Sequence, residues 1–289
     1  MFEPFYDGKM TVLRSLLELK TWRAQVSGEV GFVPTMGALH SGHVNLIMQS
    51  IQHCQHTLVS IYINPTQFNN PEDFEKYPST FQEDLELLKS LGDVIVYSPN
   101  EKDIYPNGIL SRSFNFGVLG VFMEGSGRPG HFEGMATVVT RFFELIEPHY
   151  AFFGEKDFQQ LAIIKHVVAQ ENWPVKIIPC VTVREKDGLA MSSRNKRLSL
   201  GQRNSAKEIY RILQQWISTS LTLQADVSLA KQELIDSINA IDFLTVEYLE
   251  FCCEKTLTPI GNFKHQAPIR VFTAVMCGKV RLIDNLPLF

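Results

Sequence analysis

Short apolar runs alternate with segments of helical spacing through roughly the first 180 residues. Val30–Val33 is one such run, and Val44, Ile47 and Met48 follow at helical spacing, predicting a helix over Val44–His53. Leu58–Ile63 is a second strand, and Leu85 and Leu88 mark a helix over Phe81–Leu91. Strands at Asp93–Tyr97, Ala151–Phe153 and Val175–Ile178 complete the pattern, with helices over Met135–Ile146 and Leu161–Val168. Leu13, Leu16, Leu17 and Ala24 predict a first helix, after an irregular leader over residues 1–10 that contains Pro4 and Gly8. Short apolar strands separated by helices predict an α/β fold with a parallel sheet covered on both faces. Ligands of such sheets bind beyond the carboxyl ends of the strands. Pro34, Asn64 and Gly154 each lie just past a strand end, so three loops are expected on one rim.

The texture changes after about residue 184. Two long helices are expected, Gln202–Ser218 and Ser228–Ala240, followed by strands at Leu244–Phe251, Ile269–Met276 and Val280–Ile283. Gly278-Lys279 reads as a hairpin turn. This predicts a smaller C-terminal α+β domain, with the boundary near Val183–Gly188, giving domains 1–184 and 185–289.

Composition narrows the class only a little. The 289 residues carry a net charge of −4, so no general attraction to nucleic acid or anionic lipid is expected. Cys54, Cys180, Cys252, Cys253 and Cys277 are odd in number and lack metal-ligand spacing, which suits free thiols in a reducing compartment. With no apolar run of membrane length and no secretory signal expected at the N-terminus, the cytoplasm is the default.

The chemistry-bearing strings lie at the strand ends. Met36-Gly37-Ala38-Leu39-His40-Ser41-Gly42-His43 joins a strand to a helix start, whose unpaired amides and positive dipole end suit phosphate. Two imidazoles there can donate to phosphate oxygens, and Thr35 and the amides around Met36–Gly37 can support the same anion. Asn64-Pro65-Thr66-Gln67-Phe68 offers two amides, although a solvated turn explains any single one of them equally well. Gly154-Glu155-Lys156-Asp157-Phe158-Gln159-Gln160 places Lys156 and Gln160 one helical turn apart, and Asp157 can accept from ribose hydroxyls. The alternative is a charged helix start stabilised by the dipole. Met191-Ser192-Ser193-Arg194-Asn195 can grip a polyphosphate, or can be a plain basic surface loop. Glu83 and Asp84 read as the solvated face of their helix.

Taken together, PTMGALHSGH, NPTQF, RPGHF, GEKDFQQ and MSSRN resemble the pantothenate synthetase family of pantoate–β-alanine ligases, in that family's order. The first and last strings are shared more loosely with the wider nucleotidyltransferase superfamily. The resemblance implies a Rossmann-like domain, a smaller C-terminal lid domain and a homodimer. It implies ATP and Mg²⁺ as reactants, pantoyl adenylate as the intermediate, and β-alanine as the second acceptor. By the same resemblance ATP contacts fall at Met36, Gly37, Ala38, Leu39, His40, Ser41, Gly42 and His43. Further ATP contacts fall at Gly154, Glu155, Lys156 and Asp157, at the backbone of Val183, and at Met191, Ser192, Ser193 and Arg194. Gln67 and Gln160 hold pantoate, and Gln67 also meets β-alanine. His43 is implied as proton donor, assisted by His40 and Lys156. The departures are Glu133 in the string after RPGHF, Ser41 in the first motif, and a longer N-terminus.

Overall fold

A computed structural model describes residues 10–220, 226–264 and 267–288, so the expected leader lies outside the described residues except for Met10. Two compact units are present. The first comprises residues 1–115, 130–154 and 164–180, and the second 116–129, 155–163 and 181–289.

The first unit is built on six parallel strands. These are β1 (Val12–Leu13), β2 (Val30–Thr35), β3 (His56–Ile61), β4 (Val94–Tyr97), β5 (Tyr150–Gly154) and β6 (Lys176–Cys180). Their order is β1-β4-β3-β2-β5-β6. The chain therefore builds outward from β2 to one side, then crosses back to add β5 and β6 on the other. That reversal beside β2 is where open α/β sheets bind ligands. Its helices are α1 (Leu16–Gln25), α2 (Ser41–His53), α3 (Pro71–Glu75), α4 (Phe81–Lys89), α5 (Glu101–Ile104) and α7 (His131–Ile146), whereas α6 (Glu124–Gly127) and the start of α8 (Phe158–Gln170) belong to the second unit.

Alternation along β2 covers both sheet faces, because neighbouring strand residues point opposite ways. Phe32 meets Phe142 and Phe143 of α7, with ring centroids 5.4 and 6.3 Å apart. Val33 joins Ile47 of α2 and Leu85 and Leu88 of α4 in a separate cluster. Leu13 does not belong to the first helix. It pairs with Tyr97 on the edge strand β1, while Leu17 of α1 is exposed. Pro34 lies inside β2, opposite Ser60, rather than past its end.

The second unit contains α9 (Leu200–Ser220) and α10 (Val227–Asn239), with an antiparallel sheet of β7 (Leu244–Cys253), β8 (Ile269–Cys277) and β9 (Val280–Pro287). Cys277 pairs with Val280 across the expected Gly278-Lys279 turn. Leu213 and Trp216 of α9, Leu234 and Ile238 of α10, and Phe251 and Val271 of the sheet share one core. A satellite cluster of Met123, Cys252, Leu257 and Phe272, with Phe158 against it, seats the 116–129 and 155–163 segments in this unit. Among the described residues no helix is long and apolar enough to cross a membrane.

Candidate functional site

In the first unit the loop after β2 turns sharply through two left-handed residues, Gly37 (φ +80°) and Ala38 (φ +50°). Gly37 is required twice over, since a Cβ there would also lie 3.0 Å from Asp84 Oδ2. Thr35 Oγ1 donates to Ser60 O at 2.7 Å and accepts from the Gly37 amide at 3.2 Å. Asp84 of α4 accepts from the amides of Ala38 (2.9 Å) and Leu39 (2.8 Å) and from Thr80 Oγ1 (3.2 Å). Asp84 is buried, not solvated, because the loop amides replace the water its carboxylate would otherwise need. Glu83 beside it is exposed, as expected. The Gly37, Ala38 and Leu39 amides are thus engaged within the protein.

His40 is the N-cap of α2. Its Nδ1 accepts from the Gly42 amide at 3.1 Å, so the proton of the neutral ring sits on Nε2, which is then a donor. The His40 and His43 rings stack, with centroids 4.1 Å apart and planes 30° apart. The structure therefore brings the two expected imidazoles side by side at a helix start.

Asn64 is buried rather than solvated. Its Nδ2 donates to Gln67 Oε1 and to Gly134 O, both at 3.1 Å, and its Oδ1 accepts from Thr66 and Tyr105. All of its bonding capacity is used, which is what lets an amide side chain sit in the interior. Gln67 Nε2 lies 2.8 Å from Met36 Sδ, so two expected site residues from different loops meet. His131 Nδ1 donates to the Gln67 carbonyl at 2.7 Å. Gly134 lets α7 approach this turn, because a Cβ there would sit 2.3 Å from Thr66 O. Thus RPGHF supports the NPTQF turn through His131, while Glu133 has no ion-pair partner among the described residues.

In the second unit Glu155–Asp157 form a 3₁₀ turn ahead of α8. Lys156 Nζ lies 3.5 Å from Asp157 Oδ1, with the lysine side chain 19% exposed. Of the two adjacent glutamines, Gln159 is structural. Its Nε2 donates to the carbonyls of Leu119 (2.8 Å) and Phe122 (2.9 Å), and its Oε1 accepts from the Glu124 amide (3.1 Å). Gln160 is partly exposed.

Val183 and the MSSRN string are neighbours in the same unit, because the Met191 amide donates to Val183 O at 3.0 Å. Ser192 Oγ accepts from the Arg194 amide at 3.3 Å and caps the following turn, and Ser193 is buried. Asn195 ties this loop to Glu185 and to the Ala190 carbonyl. Arg184 forms a two-pronged pair with Asp284 at 2.7 and 2.9 Å. Glu124, which the sequence did not single out, accepts from Arg281 at 2.8 Å on each oxygen and from Tyr248 at 2.8 Å. Burial alone would raise its carboxyl, but Arg281, Arg128 and Tyr248 outweigh it and hold it at about 2. Burial lowers the Arg128 guanidinium from its ordinary value, and the charges of Arg194 and Arg281 push the same way against Glu124.

The sequence profile described as "Pantoate-beta-alanine ligase" matches residues 10–287. The chain is 41% identical over 283 residues to a pantothenate synthetase of Flavobacterium psychrophilum, covering 96% of this chain and all of that one. It is 44% identical over 283 residues to the pantothenate synthetase of Cereibacter sphaeroides, covering 96% and 99%. Its fold is similar to a crystal structure of the Thermus thermophilus pantothenate synthetase, with a TM-score of 0.89 at 36% identity over 97% of this chain and all of that one. It is also similar to the Francisella tularensis pantoate–β-alanine ligase complexed with β,γ-ATP and β-alanine, with a TM-score of 0.83 at 37% identity over 97% and 98%. With full-length matches in both sequence and fold, the chain belongs to the pantoate–β-alanine ligase family.

Proposed function

We propose that His43, His40 and Lys156 act at the α-phosphate of ATP in the reaction that defines this family. That reaction condenses (R)-pantoate with β-alanine. The pantoate carboxylate attacks the α-phosphorus, forming pantoyl adenylate and releasing pyrophosphate. The neutral amine of β-alanine then attacks the acyl carbon, the bond to AMP breaks, and pantothenate leaves. Adenylation is needed because a free carboxylate would have to expel oxide.

The stacked His40–His43 pair carries this assignment. The cap on His40 Nδ1 leaves Nε2–H as a donor, and preorganised donors stabilise charge growing at phosphorus. Positioning supplies most of the remaining catalysis in phosphorus transfer. His43 is the proton donor. Met36–His43, Gly154–Asp157, the Val183 backbone and Met191–Arg194 contact ATP. Gln67 and Gln160 hold pantoate, and Gln67 also meets β-alanine. The residues from 185 onward serve as a lid, which protects an acyl adenylate from water.

Mg²⁺ would arrive on the nucleotide's phosphates, keeping most of its waters. Bound there, the ion neutralises charge on the departing pyrophosphate. The protein works as a homodimer in the cytoplasm, where a reducing environment keeps its five cysteines as thiols. Mixing the protein with Mg-ATP and pantoate, without β-alanine, tests the assignment. Stoichiometric pyrophosphate release is expected, and ATP binding without release on pantoate would overturn it.

A further inference from the structure

The turn that carries Lys156 is gripped by one side chain from the far end of the same unit. Asn285 of β9 donates through Nδ2 to the carbonyls of Glu155 (3.0 Å) and Lys156 (2.9 Å). Those carbonyls belong to the two peptide planes on either side of the Lys156 Cα. Fixing both planes fixes the backbone torsions of Lys156, and with them the direction in which its side chain leaves the backbone.

The grip is itself held in one orientation. Asn285 is 4% exposed, and its Oδ1 accepts from Arg270 Nη1 at 2.6 Å. Arg270 also donates through Nε to Glu254 at 2.9 Å, and its guanidinium lies 4.1 Å from the ring centroid of Phe158, the first residue of α8. Two carbonyls on one side require the amide NH₂, and a guanidinium on the other requires the oxygen. Aspartate at this position would face oxygen to oxygen, and leucine would remove all three bonds.

We propose that Asn285 is a positioning residue for Lys156, holding the turn so that the ammonium is presented to the α-phosphate. This rests on the role given to Lys156 above. It goes beyond that role by making the last strand of the chain part of the catalytic geometry, although Asn285 touches no reactant.

A double-mutant cycle on the full chain tests it, reading pantoate-dependent pyrophosphate release. Asn285→Asp keeps the size and the Arg270 contact but loses both donors. It is expected to lower kcat at least about tenfold, with KM for pantoate within about twofold, and to add nothing on a Lys156→Ala background. A loss that multiplies in full on that background would mean a general structural defect and overturn the proposal, as would an unchanged kcat. Wild-type turnover in Lys156→Ala itself would instead remove the role of Lys156, a different failure from that of the Asn285 link. Should Asn285→Asp not fold, Arg270→Lys is read the same way, since it keeps the charge but loses the fork that orients Asn285. Loss on the wild-type background and none on Lys156→Ala supports the proposal; equal loss on both overturns it.

Discussion

Asp84 Oδ1 accepts from the Leu39 amide at 2.8 Å across 45 residues of sequence, and its second oxygen accepts from Ala38. This carboxylate therefore pins the left-handed Ala38 two residues ahead of His40, a conformation that a non-glycine residue adopts only when its surroundings enforce it. Asp84→Asn keeps the shape but turns an NH₂ group toward one of the amides. The expected outcome is a loss of about 1–3 kcal/mol in stability together with lower kcat, because the loop relaxes and the His40–His43 pair shifts. Urea unfolding and turnover measured on one preparation check this. Unchanged turnover would show that the histidines hold their places without the clamp.

His40 does two jobs that substitution can separate. Asparagine is a good N-cap and replaces the bond to the Gly42 amide, whereas alanine loses it at a cost of about 1 kcal/mol. Neither supplies the ring Nε2–H. His40→Asn should therefore melt close to the wild type while its kcat falls roughly 10²-fold, and His40→Ala should lose both. A well-folded His40→Asn with near-normal kcat would leave His40 as a cap alone.

Gln67→Ala should weaken pantoate binding and spare ATP. Asn64 Nδ2 keeps its bond to the Gly134 carbonyl in the variant, so the turn itself survives. Losing one hydrogen bond to an anionic substrate predicts a rise in pantoate KM of about 10- to 100-fold. Calorimetry supplies the check, and a fall in ATP affinity instead would mean that Gln67 has been misplaced.

What the sequence revealed divides along physical lines. β2, β3 and β4 are legible because each carries a short, mostly apolar run buried on both faces. The first motif is legible because strand end, glycine and histidines are contiguous. β1 is not, because it has two residues and Leu13 also fits a helical stripe with Leu16. Polarity suggested solvent for Asn64 and Asp84, yet both are buried, since only the folded chain shows who bonds them. The same holds for Asn285, whose partners lie 129 and 130 residues away. No local pattern announces that residues 116–129 pack with residues beyond 181, because that choice is made by Met123 and Phe272 meeting in one cluster.

Glu124 makes acid stability a test of the second unit. Its carboxyl is held at about 2 in the folded chain, chiefly because Arg281 overcomes the effect of burial. In the unfolded chain it titrates at about 4.5. A carboxylate lowered by folding contributes fully above the unfolded value, and the contribution is lost as pH falls toward the folded one. The window here runs from about 4.5 down to about 2, and the contribution is on the order of 3 kcal/mol. Glu124→Gln cannot ionise, and it leaves Arg281 with Glu247 as its remaining carboxylate partner. The stability gap between wild type and variant should be widest near about pH 7 and should narrow between about pH 4.5 and 3. Urea unfolding across that range reads the gap directly. A gap that does not change with pH would assign the effect to packing rather than to the charge on Glu124.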